Sequence, residues 1–372
     1  MKKLGLLVLS SAAMFAACTS ETEVQNVSPK DAISFNTTLK GVTKTVYTNE
    51  TFDKFKVVAL KSEGGTEYFT DDVVKVSASK WATTQIQAWP DDGAELSFFA
   101  YAPADLIATE QISSAISAQT LSDFSPKKAL ADQQDIVTAF NTGRKADNQN
   151  GVDLKFRHAL TQIEILATNE DVLRYKVEVL GSKLVRVKSK GTMTFSKDAN
   201  AASSWTVNDE TTDSYGDKLP AAITLDATPQ RVMTDGNNWM MLPQQLTAWD
   251  KSSNDGAYIA VLLRISQADG SPIYPEKDEN AVAAKFAYAA IPVNINWQLG
   301  HKYTYTLKFF GSGGGAGFVA DELTNPNLND DPDVDETPGK STGEAIIDGI
   351  INFNVTIEDW VDGTTATETI EN

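Results

Sequence analysis

The sequence predicts an all-β protein, and three observations do so. Apolar residues alternate with polar ones in many short segments, as at Ile259/Val261/Leu263/Ile265 and Tyr303/Tyr305/Leu307/Phe309; a period of two puts successive side chains on opposite faces of a strand. Gly, Asp, Asn and Pro gather between these segments, as at Gly64-Gly65 and Asp91-Asp92-Gly93, where they supply turn chemistry. Only residues 109–121, with Ile112 and Ile116 four apart, read as a helix. Such a chain buries its apolar faces in sandwiches or barrels.

The chain begins with a basic Met1-Lys2-Lys3, residues 4–17 are apolar, and Ala16-Ala17 put small side chains before Cys18, the pattern of a signal peptide over 1–17. The apolar run is shorter than the ~20 residues that span a bilayer. Cys18 is the single cysteine, so no intrachain disulfide forms. Ala-Ala-Cys here resembles the bacterial lipobox, whose cysteine thiol receives a diacylglycerol and becomes the new N-terminus. Residues 18–30 then read as a polar, lipidated tether.

Ile33, Phe35, Thr37 and Leu39 share one face of a short first strand, and residues 40–44 (KGVTK) form an exposed basic loop after it. Further strands lie at 55–60, 73–76 and 96–101, the last bracketed by Pro90 and Pro103, which cannot donate to a ladder. In residues 152–166 the apolar set moves from even positions (Leu154, Phe156, His158, Leu160) to odd ones (Ile163, Ile165). A one-residue slip turns a face to water, so a bulge or bend near 159–162 is expected, with Phe156 and Ile163 both buried. At 372 residues, and about 150 per domain, two domains are expected, 31–169 and 170–372. Residues 311–343, rich in glycine and then in acidic residues and proline, read as a loop interrupting the second. The chain returns to a strand through Phe353, Val355 and Ile357.

Composition narrows function. A net charge of −18 argues against nucleic acid, which needs a basic face, and against docking on anionic lipid. His158 and His301, the two histidines, have no neighbours at ligand or nucleophile spacing, so both read as structural. Residues 311–316 fit a relaxed dinucleotide pattern, but the segment after them is too rich in Pro and Asn for the helix that must receive a pyrophosphate. Residues 329–336 carry carboxylates without the glycine of a calcium loop. No catalytic residue, metal or cofactor is therefore expected. Trp81, Trp89, Trp249 and Trp297 leave room for an aromatic sugar platform.

Taken in order, the lipobox, the ISF strand, TKT, FDKFKVVAL, WP…LSFFAYAP, QQDIVTA, LKFRHALTQIEI, MMLPQQL, IPVNINWQLGHKYTYTLKF and INFNVTIEDW resemble the fimbrillin family, the type V pilus subunits of anaerobic Gram-negative bacteria. The resemblance covers essentially the whole chain. It implies two transthyretin-like β-sandwich domains, lipoprotein export to the outer membrane through Cys18, and a place in a fimbrium among other pilus subunits with a role in adhesion. It also implies that a surface protease of trypsin-like specificity cuts after the first strand. The strand carrying Ile33, Phe35 and Leu39 then leaves, and a donor strand from another subunit fills its groove. Lys40 and Lys44 are the matching cut positions. They depart from the arginine the family often has there, which leaves open an uncut, lipid-anchored base or a monomeric surface lipoprotein binding glycan or protein ligands. The best donor in the chain itself is the segment of Phe353, Val355 and Ile357.

Overall fold

The computed structural model of the chain describes residues 31–39, 52–77, 80–105, 119–234, 236–250, 252–276, 285–311, 341, 344–346, 351–359 and 368–371. Among these, all regular structure is strand apart from a 3-10 turn at Leu130–Asp132. The predicted helix lies outside the described residues up to 118, and its last residues open a strand, β6 (Thr120–Phe124).

In the first half the other strands are β1 (Ser34–Leu39), β2 (Lys54–Lys61), β3 (Glu67–Ser77), β4 (Lys80–Thr83), β5 (Leu96–Ala102), β7 (Val137–Gly143) and β8 (Val152–His158). These seven, without β6, join in one ring, β1-β4-β3-β2-β5-β7-β8. The sequence pattern allows a sandwich or a barrel and the family resemblance implies a sandwich; the strands close into a barrel because β1 is bonded on both sides, antiparallel to β4 and parallel to β8. The seam between β7 and β8 holds only at Val137↔His158 and Thr138↔Arg157. Inward-facing Phe35, Phe55, Val57, Phe98, Leu154 and Phe156 fill the ring.

The second half contains β9 (Thr161–Asn169), β10 (Tyr175–Lys188), β11 (Gly191–Thr194), β12 (Ser204–Val207), β13 (Thr212–Thr224), β14 (Gln230–Arg231), β15 (Trp239–Met241), β16 (Gln244–Gln245), β17 (Tyr258–Gln267), β18 (Pro272–Tyr274), β19 (Ala287–Pro292), β20 (Asn296–Trp297), β21 (His301–Phe309), β22 (Ile351–Asp359) and β23 (Glu368–Glu371). One sheet runs β13-β10-β17-β18, with β19 also on β17; another runs β14-β9-β21-β22-β23, with β15 also on β9. Val177, Val179, Val261 and Leu263 from the first meet Ile163, Ile165, Tyr305 and Leu307 from the second in one core.

Phe156 and Ile163 are both fully buried, in different cores. The phase change between them is the bend at Leu160, where the chain leaves the ring and enters the second sheet; of the expected bulge or bend, the bend is what occurs. Side chains change core at Ala159 and Leu160. Backbone and side-chain bonds pin the crossing. The Ala159 N–H donates to Ile136 O (2.7 Å), the Gly300 N–H to Leu160 O (2.9 Å), Trp205 Nε1 to Ala159 O (2.5 Å) and Thr161 Oγ1 to Gln298 O (2.8 Å).

A third core joins the halves. The outward residues of β2 and β5, Val58, Leu60, Phe99 and Tyr101, pack against Leu121, Leu160, Met193, Phe195, Met240 and Leu242. β6 belongs to this layer and pairs with β11. Burial on both faces is why β5 reads as a continuous apolar run and not as an alternation.

Across the polar face of β9, Glu164 lies 2.6 Å from Arg231 of β14 and 2.7 Å from Lys302 of β21. Burial pushes its carboxyl up, but the bonds and charges of Lys302 and Arg231 outweigh this and hold it below the usual glutamate value. A depressed carboxyl contributes stability that is present above its unfolded pKa, near 4.3, and is lost as pH falls through the folded value.

The shared core and the half-buried carboxylate of Glu164 each make a measurable difference to stability. Phe99→Ala should cost about 3–5 kcal/mol and lower one thermal transition common to both halves; two separated transitions, one of them unshifted, would contradict a shared core. Glu164→Gln should cost about 1–3 kcal/mol in urea unfolding at neutral pH, with the difference from wild type shrinking by pH 3. A gap that persists undiminished in acid would show that the charge is not its source.

Candidate functional site

The first strand is built to be held on three sides. Phe35 pairs with Trp81 of β4 and with Val152 of β8, and the parallel register on β8 continues to Leu39↔Phe156. Ile33, Phe35 and Leu39 are buried, as the alternation predicts, while Thr37 is only partly so. The Phe35 ring meets Phe55 at 6.0 Å and Phe98 at 5.4 Å, both edge to face, a favourable aromatic geometry. Outside the ring, Asn36 Nδ2 donates to Asp153 Oδ1 (2.9 Å), and Lys145 pairs with Asp31 (2.6 Å). Gly151, at φ +106°, lets the backbone close over this end; a Cβ there would sit 3.2 Å from Ser34 Oγ. Among the described residues, 152–156 of β8 have no ladder partner except β1. Without β1 an apolar slot and two strand edges face water.

The candidate donor lies in the other half. β22 pairs antiparallel with β21 along nine registers, from His301↔Asp359 to Phe309↔Ile351, and its second edge carries β23 through four. Val355 is buried in the second core, Ile357 is partly buried against it, and Phe353 is placed opposite Leu307. β21 itself lies parallel to β9 and is tied to it by Lys302 and Glu164. The donor segment is thus docked in its own sheet, and β23 is the outermost strand there.

Cys18, Lys40, Lys44, the tether and the loop from 312 to 340 lie outside the described residues. His158 and His301 have structural settings. His158 Nδ1 is 2.6 Å from Asp135 Oδ2 with both side chains buried, and burial pushes the Asp135 carboxyl up while His158 pulls it down. His301 Nδ1 meets Leu299 O at 2.9 Å. Trp81, Trp89, Trp249 and Trp297 are all at most 5% exposed, so they form no sugar platform. Sequence reasoning missed Gln244, whose amide takes the place of a neighbouring strand: its Oε1 accepts from the Lys188 N–H (2.7 Å) and its Nε2 donates to Lys188 O (3.0 Å). Gln-Gln in MMLPQQL was the only signal.

A fimbrial protein from Bacteroides vulgatus is 19% identical and superposes with a TM-score of 0.51, covering 74% of this chain and 94% of that one. A candidate cell adhesion protein from Parabacteroides distasonis is 11% identical with a TM-score of 0.47, covering 91% and 100%. Another from Bacteroides uniformis is 14% identical with a TM-score of 0.43, covering 89% and 99%. No curated protein matches the chain. The model of the fimbrillin-like family matches residues 42–360. That span includes every strand from β2 to β22, and the chain belongs to the fimbrillin-like family.

Proposed function

We propose that this chain is a structural, non-enzymatic subunit of a type V-like pilus at the cell surface, with a role in adhesion, and that it polymerises by donor-strand exchange. The observation that carries the reading is β1, an independent segment that completes the first ring yet is followed directly by the basic stretch with Lys40 and Lys44. Its buried Phe35 and Leu39, with Ile33 just before it, contribute roughly 1.5–3 kcal/mol each, a large share of a domain's marginal stability. While the chain is intact, β1 stays. A cut after Lys40 or Lys44 makes it a separate peptide that can dissociate.

The vacated slot takes apolar side chains at every second position, the spacing of Phe353, Val355 and Ile357 as well as of Ile33 and Phe35. To remake every ladder bond, the incoming strand must lie parallel to β8 and antiparallel to β4, as β1 does. Releasing β23 breaks four register pairs; releasing β22 breaks nine more and uncovers Val355. Detachment therefore begins at β23 and is driven to completion only by burial in a neighbour. The membrane link is the lipid on Cys18, carried by the uncut form.

Limited trypsin treatment of purified monomer should release a peptide containing Ile33 to Leu39 and produce ladders on unboiled gels. Deleting 364–372, which removes β23, should stop elongation while export and folding persist. Val355→Asp is a poorer probe because Val355 also fills the subunit's own core. Treated protein that stays monomeric with β1 bound refutes assembly through this groove and favours an uncut anchor or monomeric surface lipoprotein. Separately, Cys18→Ala should abolish lipid labelling and free the protein from the membrane fraction; unchanged fractionation contradicts the anchor.

A further inference from the structure

The first strand and the candidate donor share more than a period. Residues 33–39 read ISFNTTL and residues 351–357 read INFNVTI, so isoleucine, phenylalanine, asparagine and threonine recur at the same four places. Ile-x-Phe-Asn-x-Thr occurs at these two positions and nowhere else in the chain; β17 and β21, equally regular strands, lack it. Around β1 the shared residues have defined partners. Phe35 sits edge to face with Phe55 and Phe98. Asn36 Nδ2 donates to Asp153 Oδ1 (2.9 Å) and to Asn150 O (3.3 Å). Gly151 makes room for that amide, since a Cβ there would lie 3.3 Å from Asn36 Nδ2. Asn141 Nδ2 in turn holds the backbone carbonyl of Asp153 (2.7 Å).

We propose that Asp153 reads an asparagine in the strand that fills the slot, and that the occupant is 351–357 of a second copy of this chain, set residue for residue on 33–39. The assignment rests on strand exchange as proposed above and adds the partner, the direction and the register. Once β1 leaves, the Asp153 carboxylate loses its amide donor. An incoming asparagine restores that bond, whereas an acidic residue at the same place is repelled. Only one alignment puts Phe353 in the place of Phe35 and Asn354 in that of Asn36. A slip of two residues offers Ile351 or Val355 to the aromatic place. A reversed strand keeps Asn354 opposite Asp153 but offers Val355 to the rings. In the matching alignment Val355 replaces Thr37, a half-buried residue in register with Leu154. That exchange removes a hydroxyl from an apolar slot, so the donor fills it at least as well as the strand it displaces.

The test is disulfide trapping in trypsin-treated protein, from which Cys18, the chain's single cysteine, leaves with the cut segment. Thr38 is the register partner of Lys155 and both are exposed; Thr356 is the counterpart of Thr38. A chain carrying Lys155→Cys and Thr356→Cys should form covalent, reduction-sensitive ladders under mild oxidation, with none from uncut monomer. Cysteine at 352, 354 or 358 in place of 356 should trap at least about tenfold less, because misregistered pairs exceed disulfide reach. A second measurement reads the recognition itself. Asn354→Asp should slow elongation about three- to tenfold, and Asp153→Asn in the same chain should restore it. In its own sheet position 354 is the register partner of Glu371, so the added carboxylate loosens β23 there, and slower elongation cannot come from a donor held more tightly. Ladders trapped best through 352, 354 or 358, elongation unchanged by Asn354→Asp, or no rescue by Asp153→Asn overturns this assignment and leaves strand exchange standing. Purified chain that is cut, loses β1 and forms no ladder overturns both.

Discussion

The structure depends on one crossing. A strand with one buried face shows that face at every second residue, so a chain that serves two cores must change phase between them. Residues 158–161 make that change, and four hydrogen bonds involving Ile136, Trp205, Gln298 and Gly300 pin the register on either side. The consequence reaches beyond the crossing. β8 is the parallel partner of β1, and β9 is the parallel partner of β21, which carries β22. The slot that holds β1 and the sheet that carries the candidate donor are therefore set by two ends of a single run.

Under the proposed strand exchange, this arrangement would separate what must be stable from what must be exchangeable. The crossing, the third core and the pair of Asp135 and His158 are buried, and none of them involves β1 or β23. β1 fills a slot whose walls, β4 and β8, are anchored by the rest of the ring. An unpaired strand edge beside an apolar slot is costly in water; under the proposed strand exchange, the same cost would drive the uptake of another strand. A lipid-linked subunit would thus remain closed until cut, and become adhesive to its own kind only afterwards.

The alternating segments were legible in the sequence because their period is local: β17, β21 and β22 fall where Ile259, Tyr303 and Phe353 and their alternating successors place them. The burial of Ile33, Phe35 and Leu39 was legible for the same reason. Non-local facts were not. Nothing in residues 34–39 says that the strand pairs with both β4 and β8, so the choice between sandwich and barrel stayed open. The apolar excess of β5 signalled a second buried face without naming the partner, which comes from Met193, Phe195 and Leu242 much later in the chain. The phase change was legible as a bulge or bend, and a bend lies at Leu160; local pattern could not say that the bend is also a change of sheet. Asp135, 23 residues before His158, and Gln244 act through partners that no spacing rule connects.

The most direct measurement of the central claim is amide hydrogen exchange across residues 152–156 of β8, whose ladder partner is β1. Protection should be high in uncut monomer, fall when the protein is cut and the first-strand peptide is removed, and return when subunits assemble. Unchanged protection through all three states would mean that β1 never leaves its groove, and would contradict an account in which this slot is the joint between subunits.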